Sequence, residues 1–160
     1  MIKKYLSIAL FFLTQLAYTQ TDSKVEEVAT CVGIVNGGHV YNYENELLTE
    51  NQLRAAYFMS TLALELAIAS KGRNHYINNI DDYNSLAEAG FMIIYEEFEN
   101  ETFDWGSQGE LDFCQVLLFE YIAKPPKSAF WAGDFEFFRE ISIGQADENV
   151  DSIVEYLENF

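Results

Sequence analysis

The sequence predicts an all-α protein, a single-domain bundle of about four main helices with a short C-terminal helical addition. Three observations carry this. Apolar residues recur at steps of three and four, not at the alternating period of strands. Helix-capping signatures open two of the apolar runs. Turn dipeptides such as Asn-Gly or Asp-Gly do not bracket short alternating segments. A composition of 49% apolar and 16% aromatic residues is enough for one core, and no linker, internal repeat or low-complexity tract divides it.

The chain opens MIKKYLSIALFFLTQLAYTQ. Lys3 and Lys4 give a basic start, residues 5–17 form an apolar run, and the small residues Ala17 and Thr19 precede a cut at Gln20. That is the order of a cleaved secretory signal. The run is also shorter than the roughly 20 residues a membrane-spanning helix needs. Residues 1–19 are therefore expected to be removed, and residues 20–160 to form the helical domain of a secreted or periplasmic protein without stable membrane insertion. A retained anchor is the alternative. A lipoprotein leader fits less well, because two charges in VEEVAT precede Cys31.

The first helix of the domain is expected over residues 24–36, with Val25, Val28, Val32 and Val35 on one face and Gly37–Gly38 as its stop. Thr49 and Gln52 have the spacing of a capping box for the second helix, whose run LRAAYFMSTLALELAIASKG ends at Gly72. Its few polar groups, Arg54, Thr61 and Glu65, fall on one stripe; the rest is apolar or small, as in the central helix of a bundle. A third helix is expected from Asp81 or Asp82 to about Asn100, burying Tyr83, Ala87, Phe91, Ile94 and Phe98. Ser107 and Glu110 announce a fourth, which ends before Pro125 because proline supplies no backbone donor. Leu111, Cys114, Leu118 and Tyr121 share its inner face. A last helix is expected from about Asn149, with Val150, Ile153, Val154 and Leu157 inward. The segments 37–48 and 71–80 read as connections.

Cys31 and Cys114 are the two cysteines, each on or beside a buried stripe. In an oxidising compartment, neighbouring helices can bring their Cα atoms within the roughly 4.4–6.8 Å a disulfide requires. A Cys31–Cys114 bridge is the expectation, with two buried thiols as the alternative. A nucleophilic cysteine would need a base, and His39 lies beyond the expected glycine stop in an exposed loop. His75 falls in the loop GRNHYINN. With two histidines and no HExxH, CxxC or CxxH spacing, no metal site and no cofactor are expected. Gly33 and Gly37, four apart, would share a helix face and let another backbone come close. The segment CVGIVNGG resembles the cysteine-bearing first helix of small exported immunity proteins that guard against type VI secretion toxins. The resemblance extends no further along the chain, and no site is carried over from it.

The formal net charge is −17, and more negative still once Lys3 and Lys4 are lost. Such a surface repels nucleic acid and suits cationic partners or divalent ions. The acidic run over residues 96–104 is the best cation candidate, yet no placement satisfies the EF-hand order. A solvated acidic face is the preferred reading. Asn100-Glu101-Thr102 is a glycosylation sequon. The aromatic cluster Phe130, Trp131, Phe135, Phe137 and Phe138 does not fit one helix face. It reads first as a lid on the bundle and second as a candidate partner surface.

These absences exclude the common catalytic constellations. The expectation is a non-catalytic protein-interaction module with an unknown, cationic protein partner, or one offering an apolar groove to the aromatic segment. The alternative is a carrier of an apolar small ligand between helices. An enzyme built on Glu65, Arg54 and tyrosines ranks third, to be revived by a Glu65 buried beside a cleft.

Overall fold

The apolar stripes read from the sequence pack on one another, and among the described residues the result is five helices and one 3₁₀ turn. The computed structural model describes the backbone of residues 2–132 and 135–159 and the side chains of residues 23–131 and 135–159. The leader expected over residues 1–19 lies outside the described side chains. In order come α1 (Ile2–Glu44), α2 (Glu50–Ala69), α3 (Arg73–Glu99), α4 (Trp105–Ala123), the 3₁₀ turn (Lys127–Ala132) and α5 (Phe135–Glu158). No strand occurs among the described residues. None of their helices is long and apolar enough to cross a membrane.

α2 is the central helix. It packs on α1, α4, α5 and the 3₁₀ turn and touches α3. Its nearly continuous apolar surface demands neighbours on several sides, and Leu53, Leu62, Leu66 and Ile68 are fully buried. The capping box forms as read: Thr49 Oγ1 accepts from Gln52 N–H, and the Gln52 side chain accepts from Thr49 N–H at 2.8 Å. α3 lies along α1, α5 along α2, and α4 across both α1 and α2. Cys31 and Cys114 are disulfide-bonded with Cα atoms 4.8 Å apart, tying α1 to α4 through the main core.

Among the residues whose side chains are described, four boundaries differ from the sequence expectation, each for a local reason. α1 does not stop at Gly37–Gly38 but continues to Glu44. Its glycines serve packing instead. A β-carbon at Gly33 would overlap the Ala87 carbonyl oxygen, one at Gly37 would lie 2.9 Å from the Phe91 oxygen, and one at Gly90 would overlap the Thr30 oxygen. The α1 and α3 backbones therefore touch, parallel to each other, and Tyr41 stacks on Phe98 further along the same seam at 4.3 Å. Each helical glycine costs about 1 kcal/mol against alanine, which close backbone packing offsets.

α3 begins at Arg73, so the polar stretch read as a loop is helical. Gly72 adopts φ +97°, the turn that permits so short a link from α2. Tyr76 and Ile80 then pack on the core. The N-cap of α4 is Asp104, not Ser107. The Asp104 carboxylate accepts from Gly106 N–H at 2.7 Å and Ser107 N–H at 3.1 Å, and Ser107 occupies the third helical position of the box. The helix ends at Ala123, before Pro125, as read. The C-terminal helix begins at Phe135, well before Asn149, because Phe138, Ser142 and Ala146 continue its buried face backwards.

Candidate functional site

The sequence-predicted site residues separate into three places. The first is the aromatic end of the bundle. Trp131 Nε1 donates to the Ala69 carbonyl at 2.8 Å, closing the C-terminal end of α2. Tyr76, Trp131 and Phe138 meet edge to face at centroid distances of 5.6 to 6.2 Å. Phe138 is fully buried, Phe130, Trp131 and Phe135 are half-buried, and Phe137 is the exposed ring, packed edge-on against Phe138. These rings form a lid. Phe138 has no surface to offer a partner, which corrects the reading of all five rings as a docking face.

Beneath the lid lies Glu65, only 1% exposed. Its carboxylate accepts from the Tyr76 hydroxyl and from the Gln145 side chain. Burial pushes its pKa up, and the two hydrogen bonds oppose this in part. The Tyr76 hydroxyl is pushed up as well, by its own burial and then by the Glu65 charge. Arg54 is not part of this group. It ion-pairs with Glu50, with Asp147 at 3.2 Å and with Asp151, clamping α2 to α5. The combination of Glu65 with Arg54 is therefore split by the fold.

Beside Glu65, a groove of about 680 Å³ runs between α3 and α5 over the α1–α2 seam. Val32, Gly33 and Asn36 of α1 and Tyr57, Thr61 and Leu64 of α2 make its floor. α3 and α5, which do not pack closely on each other, make its walls. Asn36 is held by Ser60 Oγ, which donates to its side-chain oxygen at 2.7 Å. No family model, curated protein or solved structure matches this chain. What the surface can do follows from its own chemistry.

The remaining candidates are absorbed into structure. His39 sits in α1, half-buried, and burial lowers its pKa; it is not an exposed loop residue. His75 is helical too, with Nε2 2.8 Å from the Tyr83 hydroxyl oxygen. Neither has a thiol to activate, because Cys31 and Cys114 are bonded to each other. In the acidic run, Asp104 is committed to capping α4, and the N–H groups of Ser107 and Gly106 hold its pKa down. Among the described residues no group of three or more His, Cys, Asp or Glu side chains could hold a metal ion.

The sequence reading missed the outer face of α4. This helix is apolar on both sides. Leu111, Cys114, Leu117 and Leu118 are buried. On the opposite face Trp105 is 91% exposed, Phe113 52%, Val116 62% and Phe119 64%. At 100° per residue, Trp105, Val116 and Phe119 fall within one narrow sector, with Phe113 beside it. Asp112 and Glu120 stand among them and Glu110 beside Phe113, all exposed, and α4 contains no Lys, Arg or His. A shallow concavity of about 480 Å³ continues the face past Phe119 to Pro126, and Lys24 and Lys124 line it together with Glu120. The signal was available: apolar residues at 113, 116 and 119 do not belong to the stripe of 111, 114, 117 and 118.

Proposed function

We propose that this chain is a non-catalytic protein-interaction module that works outside the cytosol and docks a basic amphipathic helix of a partner protein on the outer face of α4. One observation carries the reading. Large apolar side chains stand in solvent on the outer face of α4 with Glu110, Asp112 and Glu120 among and beside them, while the nearest cations, Lys24 and Lys124, line the concavity beyond Phe119. Solvated monomers seldom expose this many large apolar side chains on one helix face. A helix with leucines on one side and lysines at the margins would bury Val116 and Phe119 and pair with Glu110, Asp112 and Glu120. The chain's charge of −17 would speed the encounter. The basic-apolar-small leader and the paired cysteines support the extracytosolic placement.

The test uses the disulfide-bonded domain and a fluorescent helical Leu/Lys peptide, with a Leu/Glu peptide as control. Val116→Gln and Phe119→Gln leave the charge unchanged. The expected result is saturable binding of the Leu/Lys peptide that the double variant weakens about tenfold or more, about 1.4 kcal/mol, with the melting temperature retained. Equal binding by the double variant would show that charge alone attracts the peptide and would reject the α4 face.

A further inference from the structure

The geometry points to a second, separate binding site: the groove between α3 and α5 takes a small organic cation, an ammonium or guanidinium group carried on an apolar body. Its volume of about 680 Å³ lies within the range typical of ligand sites. Three features select the ligand's chemistry. The first is Gln145 Oε1. Gln145 lines the groove, and its Oε1 is buried with no protein donor, so a ligand N–H meets it once the side chain turns toward the groove. The other end of the same amide is engaged by Glu65, so the oxygen is the end left to accept. A buried acceptor without a donor is costly, and a ligand N–H removes that cost.

The second feature is charge. Glu88 on the α3 wall and Glu148 on the α5 wall are the ionisable carboxylates of the lining, and no Lys, Arg or His lines the groove. An anion would meet two like charges and no counter-charge; a cation meets the reverse. The third is the apolar surface of Val32, Leu64 and Phe91, which a bare ion would leave uncovered and a hydrocarbon or aromatic body would cover. With Asn36, Thr61 and Asn149 also in the lining, the site suits an amphipathic amine better than the wholly apolar cargo that the sequence suggested. The groove does not involve the outer face of α4, so this inference stands apart from the interaction reading.

Three probes of one shape test it: 4-phenylbutylammonium, 4-phenylbutanol and 4-phenylbutyrate, titrated into the disulfide-bonded domain and followed by NMR. The ammonium is expected to bind about tenfold tighter than the alcohol, with the carboxylate weakest. Nuclear Overhauser contacts should reach the Val32 and Leu64 methyl groups. Glu88→Gln with Glu148→Gln, both on exposed positions, should erase the preference for the ammonium. Gln145→Leu should weaken the ammonium more than the alcohol. The proposal is overturned if none of the probes binds at millimolar concentration. It is overturned equally if the ammonium and the alcohol bind alike, if the double variant keeps the preference, or if the contacts map to Val116 instead.

Discussion

A methyl group is the smallest change a helix can receive, and in this chain its effect reverses with position. At Gly33 the new carbon would overlap the Ala87 carbonyl oxygen, a backbone atom that cannot rotate away. At Gly144 it would meet nothing within 4 Å. Gly33→Ala is therefore expected to destabilise the fold by about 2–3 kcal/mol. Gly144→Ala should stabilise it by up to about 1 kcal/mol. Guanidinium denaturation of the two variants reads the difference directly. Glu65 offers a second test, in pH. Its pKa is raised by burial above the ordinary value of 4.5. A carboxyl raised in this way takes up a proton on folding, so its contribution to stability is complete below about pH 4.5 and is lost as pH rises through the folded value. Gln at position 65 still offers an oxygen to Tyr76 and carries no charge to bury. The stability of Glu65→Gln relative to the parent should rise from pH 4 to pH 8, reaching about 1–3 kcal/mol in the variant's favour. A flat difference would mean that Glu65 titrates alike in the folded and unfolded chain.

At the scale of elements, the disulfide joins α1 to α4 across a sequence separation of 83 residues. The chain-entropy model assigns such a loop roughly 4–5 kcal/mol. Cys31→Ser with Cys114→Ser should lose up to that amount, and an alkylating reagent should label neither sulfur of the folded, unreduced parent. Label on both sulfurs would remove the bond from the account. This pairing was legible because each cysteine sits on or beside an apolar stripe of its own helix. The α2 cap and the end of α4 at Pro125 were legible for the same reason: backbone chemistry decides them locally. What escaped the reading depended on neighbours. Gly37–Gly38 looks like a helix stop until α3 is placed against it. The polar residues 73–80 look like a loop until Tyr76 and Ile80 find the core. Phe138 could serve a lid or a partner contact until Tyr76 and Trp131 close over it. The groove could not be read at all, since its floor and walls come from four helices and its key atom is defined by the absence of a protein donor. The α4 outer face is the opposite case. The rings at 113 and 119 were visible, but only the burial of 111, 114, 117 and 118 shows that they have nowhere left to go.

For the molecule as a whole, the dominant quantity is a net charge of −17 on 160 residues. Like charges repel one another in the folded chain, and salt screens that repulsion within about 10 Å at 0.1 M. Raising salt from 20 to 300 mM should therefore raise the melting temperature, by about 5 °C, while weakening the docking of a basic partner. Opposite responses to one variable separate the two effects in a single titration; a melting temperature that falls with salt would mean that ion pairs such as the Arg54 clamp outweigh the repulsion. The glycine seam has a consequence of another kind. Where two backbones touch through Gly33, Gly37 and Gly90, sliding either helix by one residue would drive a side chain into a peptide group. The seam thus indexes α1 against α3 at a single offset. Any natural chain adopting this arrangement has to leave those three positions bare, whereas its apolar stripes are free to drift among leucine, valine and isoleucine.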